Sequence, residues 1–217
     1  MNDLLIFGAS RNSGYLLAQQ ARAQGLQVAA LARPGRGADL ARLGVTVIEG
    51  DAFHAEDCLR ALALTQPRQV VSLLGGKDGT GRRIDEMGNI NVIAACEHHG
   101  VERALLVSSF GCGDLAPLLS AQAASLLGEA LAAKSRAEVR WQQSPLAVTI
   151  LRPGALSHAE GSGRWQLHDG RHGSGATLAR ADLALAILAL LADVATAGKV
   201  LCVSARAAED GGAGAVL

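Results

Sequence analysis

The residues best placed to do chemistry come early. Gly8-Ala9-Ser10-Arg11-Asn12-Ser13-Gly14 follows an apolar run, Leu4-Leu5-Ile6-Phe7, and leads into a segment of helical period. A buried strand feeding a glycine-bearing turn and then a helix start builds an anion site. The helix offers unpaired backbone N–H groups and the positive end of its dipole, and small residues let a pyrophosphate come close. About twenty residues on, Val28-Ala29-Ala30-Leu31-Ala32 ends at Arg33, where a dinucleotide fold keeps its ribose-reading residue. An acid there bonds the free 2′-hydroxyl of NAD, whereas an arginine suits the 2′-phosphate of NADP. The pattern therefore points to an NADP(H) site. The plain G-x-G-x-x-G is absent, because Arg11-Asn12 stand in mid-turn where a glycine is expected. Asn tolerates positive φ, so the turn can still close, and Arg11 adds a second cation close to the phosphates.

These residues need strands to deliver them and helices to receive them. Apolar, β-rich runs at 3–7, 27–32, 46–49, 69–73, 103–108, 147–151 and 199–203 alternate with segments of helical period. The helical segments fall at 13–24, 36–43, 55–64, 81–99, within 118–143 and at 179–193. Such alternation is the signature of βα units and a parallel sheet. Continuous apolar strands such as Val70-Val71-Ser72-Leu73-Leu74 fit a sheet covered on both faces. The expected fold class is α/β: a Rossmann-type, doubly wound, mainly parallel sheet of about seven strands, in a single domain over 1–206. From 154 to 175 the pattern loosens around Arg164-Trp165-Gln166-Leu167-His168. A long irregular segment in a compact domain is usually functional, and this one is expected to cap the carboxyl ends of the late strands. A second capping segment is expected near 115–130, the two together forming the substrate pocket, and the Gly/Ala-rich stretch 207–217 reads as a flexible tail.

Composition narrows the function classes. With 20 Lys and Arg against 20 Asp and Glu, there is no electrostatic case for nucleic acid or an anionic membrane as partner. Asp3 leads straight into structure, so no secretory leader is expected. The most apolar stretch, 183–192, is half a membrane span and reads as a buried helix of a cytoplasmic protein. Cys58, Cys96, Cys112 and Cys202 lie far apart with no C-x-x-C pair, as buried or half-buried thiols in a reducing compartment would. No metal site is expected, since the adjacent His98-His99 cannot face one ion together from a helix.

Several landmarks fall in one order. After the turn and Arg33 come Gly50-Asp51, Leu73-Leu74-Gly75-Gly76, Asn91, Val107-Ser108-Ser109, Lys134-Ser135-Arg136-Ala137-Glu138 and Leu151-Arg152-Pro153-Gly154. This order resembles the atypical short-chain dehydrogenase/reductases, in particular the NmrA-like and biliverdin-IXβ (flavin) reductase-like branch, over roughly residues 1–204. The resemblance implies that Gly8, Ser10, Arg11, Asn12, Ser13 and Gly14 hold the phosphates of NADP(H) and that Arg33 takes the 2′-phosphate. Asp51 would bond the adenine amino group, and Leu74, Gly75 and Gly76 would pass beside the nicotinamide ribose. Ser108 and Ser109 would lie beside the nicotinamide, with the Pro153-Gly154 turn covering its carboxamide. Asn91 resembles the family's helix asparagine, a structural hydrogen-bonder. Taken alone, Asp51 reads equally as a helix cap, Gly75-Gly76 as a tight strand exit and the serines as turn-formers.

One departure outweighs the matches. Tyrosine-dependent members carry Y-x-x-x-K, in which the lysine lowers the tyrosine pKa for proton exchange with a carbonyl. Lys134 matches the lysine, but Ala130 stands at the tyrosine position, and the single tyrosine of the chain is Tyr15. The resemblance then implies an NADPH-dependent reductase that passes hydride to a small organic acceptor without that phenol. A flavin, a quinone or a linear tetrapyrrole needs it least. Lys134 could bond the ribose hydroxyls, and Ser109 and His158 are the side chains that could supply a proton in place of water. The alternative is a non-catalytic NADP(H)-binding sensor or scaffolding protein. The alanine-rich stretch 121–133 could pair two copies as a homodimer.

Overall fold

Four consecutive apolar residues make the central strand, β1 (Leu4–Phe7), which is buried throughout. Leu4 and Ile6 enter one core while Leu5 and Phe7 enter the other, as the two-residue period of a strand requires. The computed structural model describes residues 2–172 and 176–206; the expected tail at 207–217 lies outside the described residues, as do 173–175 of the irregular segment. The further strands are β2 (Val28–Ala32), β3 (Thr46–Glu49), β4 (Gln69–Ser72), β5 (Arg103–Val107), β6 (Ala147–Pro153), β7 (Leu156–Ser157), β8 (Trp165–His168), β9 (Leu178–Ala179) and β10 (Val200–Ala205). The helices are α1 (Asn12–Ala23), α2 (Ala38–Arg42), α3 (Ala55–Thr65), α4 (Met87–His99), α5 (Ala121–Gln142) and α6 (Arg180–Ala192).

The main sheet has eight strands in the order β3-β2-β1-β4-β5-β6-β10-β8, all parallel except β8. This is the expected α/β Rossmann-type sheet with one strand more. The extra strand comes from the irregular segment: Trp165–His168 runs antiparallel to β10, with Cys202 opposite His168 and Ala205 opposite Trp165. That run therefore extends the sheet edge. The part of the segment that turns back over the strand ends is β7, which pairs with β9 immediately before α6.

Helices cover both faces. α1 and α6 pack on one side, around Leu17, Leu183 and Ile187; α3, α4 and α5 pack on the other, around Leu62, Ile93 and Trp141. The apolar stretch at 183–192 is the body of α6, buried on nearly every side. No helix among the described residues is long and apolar enough to cross a membrane, and none of their His, Cys, Asp and Glu side chains cluster to hold a metal ion. All four cysteines are free and buried; burial pushes the Cys58 thiol up to about 12 and that of Cys202 to about 11.

One helix starts later than its pattern suggests. The helical period at 81–99 yields a helix only from Met87. Asp78 gathers the Thr80 and Arg82 N–H groups at 2.9 Å, and Asp85 takes the Gly76 N–H at 3.0 Å, so the chain is held as a loop before α4 begins. Side-chain acceptors that satisfy backbone donors locally compete with helix.

Candidate functional site

The strand order reverses between β1 and β4, which opens a cleft beyond their carboxyl ends. The turn after β1 is built for close approach. A Cβ on Gly14 would lie 2.1 Å from the Gly8 carbonyl oxygen, and one on Gly8, whose φ is +88°, would meet the Leu73 backbone at 3.0 Å. No side chain fits at Gly14, and one at Gly8 would be both strained and tightly packed. Asn12 takes φ +50°, so the residue in mid-turn adopts the left-handed conformation expected of it. No side chain caps α1, which leaves its first N–H groups open toward the cleft. Ser10, Arg11 and Asn12 stand exposed at the cleft mouth, while Ser13 is buried and accepts a hydrogen bond from Arg180 Nη1 at 3.2 Å. A Cβ built on Gly76 would lie 3.6 Å from Arg11 Nη2, so the Arg11 guanidinium reaches across toward β4.

At one end the cleft is lined by Leu31, Ala32, Arg33, Gly50, Asp51 and Phe53. Arg33 is exposed at the end of β2, with no acid beside it in that strand. Asp51 Oδ1 accepts the Phe53 N–H at 3.0 Å, and the Asp51 N–H is held by Asp57 Oδ2 at 2.9 Å. Asp51 thus shapes a turn and does not cap α3, which His54 precedes without a side-chain cap. Asn91 donates to the carbonyls of Ala52 and Phe53 at 2.9 and 3.1 Å, tying this loop to α4. That is a structural role, as its resemblance implied.

At the other end lie Leu73, Leu74, Gly75, Gly76, Ser108, Lys134, Pro153, Leu156 and Leu183. Lys134 Nζ donates to the Leu74 carbonyl at 3.2 Å and pairs with Asp85 Oδ1 at 3.4 Å. Asp85 is 1% exposed and also receives Arg83 Nη1 at 3.0 Å. What aims Lys134 is the next turn of α5. Glu138 accepts Arg152 Nε and Nη2 at 3.0 and 2.6 Å in a buried two-point pair, and Lys134 sits four residues earlier on the same face. Asp114 completes the pair's surroundings at 2.8 Å from Arg152 Nη1.

Of the residues singled out from sequence, Gly8, Ser10, Arg11, Asn12, Ser13, Gly14, Arg33, Asp51, Leu74, Gly75, Gly76, Ser108, Lys134 and Pro153 all line this one cleft. Ser109, Gly154 and His158 do not. The Ser109 hydroxyl donates to the Phe110 carbonyl at 3.2 Å, and His158 is exposed just beyond β7. The Ser108 hydroxyl faces Cys112 Sγ at 3.4 Å. No tyrosine and no residue of 115–130 lines the cleft among the described residues; that segment reaches its rim through Glu129, which pairs with Lys77 at 3.0 Å. Sequence reading missed Arg180, Asp85, Leu156 and Leu183. Their neighbourhood is made by topology, and no local motif announces it.

Arg11, Arg33 and Arg180 have no ion-pair partner among the described residues, and Arg180 Nε is buried without a hydrogen-bond partner among them. A cradle with no room for a Cβ, an open helix start and three unpaired arginines fit a long, multiply charged anion such as a dinucleotide.

Comparison with known proteins agrees with this geometry. Residues 8–194 match a family model described as NAD(P)H-binding. Among solved structures, the chain is 31% identical to ChuY, an anaerobilin reductase from Escherichia coli O157:H7; the match covers 94% of this chain and 97% of that one, with a TM-score of 0.84. A short-chain dehydrogenase/reductase from Veillonella parvula in complex with NADP is 17% identical over 97% of this chain and 96% of that one, with a TM-score of 0.75, a likeness of fold alone. A chloroplastic protein of Arabidopsis thaliana, itself uncharacterized, is 26% identical over an alignment 166 residues long that covers 71% of this chain. The match spans 59% of that relative's length.

Proposed function

Because the chain belongs to the NAD(P)H-binding family of Rossmann proteins related to the atypical short-chain dehydrogenase/reductases, we propose that it is an NADPH-dependent reductase working without a catalytic tyrosine. The observation that carries the reading is the cleft's reacting end, where Lys134 is held in place but Ala130 stands four residues before it. When bound, NADPH supplies the hydride. The chain's own part is to bind, orient and exclude water. The turn from Gly8 to Gly14 receives the pyrophosphate, and Arg33 receives the 2′-phosphate. Lys134, with its Nζ fixed between Leu74 and Asp85, bonds the nicotinamide ribose hydroxyls. Pro153, Leu156 and Leu183 provide the dry wall beside the reacting carbon. The proton comes from solvent, since the Ser108 and Ser109 hydroxyls are engaged with Cys112 and Phe110, and His158 stands off the cleft.

An acceptor that takes hydride and then a proton from water suits such a site, and a linear tetrapyrrole is the class we favour. ChuY's activity on an anaerobilin supports that choice. The missing tyrosine also favours a second reading, a protein that binds NADP(H) as a sensor without turnover.

Steady-state kinetics of Lys134→Ala, Ser109→Ala and His158→Ala at saturating NADPH test the mechanism. All three are expected to keep kcat within a few-fold of wild type, with Lys134→Ala weakening cofactor binding. Removal of a general acid costs about a hundred- to ten-thousandfold. A drop of that size for Lys134→Ala would make Lys134 the acid and end the solvent-proton account.

A further inference from the structure

Arg180 opens α6 and lines the cleft, and its place is fixed from three sides. The two residues before it, Leu178 and Ala179, are buried and paired with Leu156 and Ser157 across β7 and β9. Gln20 of α1 donates from Nε2 to the Ala181 carbonyl at 3.0 Å. Two residues on, buried Asp182 accepts the Ser162 N–H and hydroxyl, both at 3.0 Å, and the Gly163 N–H at 2.8 Å. The arginine is therefore presented to the cleft on a rigid mount.

Its donors are only partly used. Nη1 reaches Ser13 Oγ at 3.2 Å, while Nε is buried and finds no hydrogen-bond partner among the described residues. The acid closest in sequence, Asp182, is committed to Ser162 and Gly163. Joining α6 to α1 through Ser13 does not by itself call for a buried cationic N–H without a partner, which costs free energy. With Nη1 on Ser13 and Nε enclosed, Nη2 is the donor the guanidinium keeps for a phosphate in the cleft. Nη1 itself ties the guanidinium to the start of α1, where Ser13 and the turn from Gly8 to Gly14 form the anion cradle.

We infer that Arg180 is a second anchor for the pyrophosphate of the bound dinucleotide, supplied by the carboxyl-terminal half of the chain to complete the amino-terminal turn. The inference rests on the dinucleotide reading proposed above. It gives the cleft arginines separate tasks. Arg33 contacts the phosphate that distinguishes NADPH from NADH, and Arg180 contacts the phosphates that the two share.

Calorimetric titration of NADPH and NADH into wild type, Arg180→Ala and Arg180→Gln tests this, with the melting temperature of the nucleotide-free protein as the control for folding. Arg180→Ala is expected to weaken both nucleotides by a similar factor, about ten- to a hundredfold, leaving their ratio as in wild type. Arg180→Gln keeps a polar side chain at this place and is expected to fold as wild type while binding as weakly as Arg180→Ala. Wild-type affinity in Arg180→Gln overturns the assignment, and so does a loss confined to NADPH, which would put Arg180 on the 2′-phosphate. A wild type that binds neither nucleotide overturns the dinucleotide reading itself, and this assignment with it.

Discussion

At the scale of single residues, the proposed preference for NADPH rests on Arg33. It stands exposed at the end of β2, and the strand before it, Val28 to Ala32, carries no acid that could take a 2′-hydroxyl instead. A charge-assisted bond to phosphate contributes about 1.5–3 kcal/mol, equivalent to roughly a ten- to hundredfold preference. Arg33→Ala is therefore expected to remove most of the preference for NADPH while leaving NADH affinity nearly intact. Equal affinity of the wild type for both nucleotides in a direct titration would contradict the assignment. Arg33 and the turn from Gly8 to Gly14 were legible because each follows directly on an apolar strand, and even the left-handed Asn12 followed from its residue type. Arg180 and Asp85 were not legible. Arg180 meets Ser13 across 167 positions, a contact that only the packing of α6 on α1 creates.

At the scale of elements, α5 shows how a motif read from sequence stays incomplete. Lys134 and Glu138 stood out by resemblance to a family motif, but what ties them together here is the buried Arg152 on β6, which grips Glu138 one turn beyond Lys134 and its contact with Leu74. The irregular segment misled in the opposite way: Trp165–His168 is short and lies among glycines, yet the free edge of β10 recruits it as a strand. A second ion pair fixes α5 against α4. Arg140 donates through both Nη atoms to Glu97, at 2.8 and 2.5 Å. The Arg140 hydrogen bonds hold the Glu97 carboxyl below its ordinary value of 4.5. A carboxyl depressed by folding stabilises the fold fully above its unfolded pKa and loses that contribution as pH falls through the folded one. With both side chains partly exposed, the pair is worth about 1 kcal/mol. Glu97→Gln is thus expected to lower the unfolding free energy in urea by about that amount at pH 7 and by much less at about pH 3. An equal effect at both would mean that the ionised pair is not what holds α5 to α4.

At the scale of the whole molecule, the parallel sheet reverses order beside β1, and this reversal gathers residues from both ends of the chain around one cleft. Its turn, its unpaired arginines and its lysine suit a phosphorylated dinucleotide, and no tyrosine lines it among the described residues. The central claim is that hydride leaves this cleft for an acceptor that needs no protein acid. The measurement that meets the claim most directly is NADPH consumption by the purified wild type under anaerobic conditions, followed by loss of the reduced-nicotinamide absorbance. A linear tetrapyrrole, a flavin and a quinone would each be offered in turn. The account predicts NADPH oxidation that depends on the acceptor, fastest with the tetrapyrrole, and slower with NADH in place of NADPH. Tight NADPH binding with no oxidation above the acceptor-free rate for any of the three would contradict it, and would identify the protein as a sensor of the nucleotide.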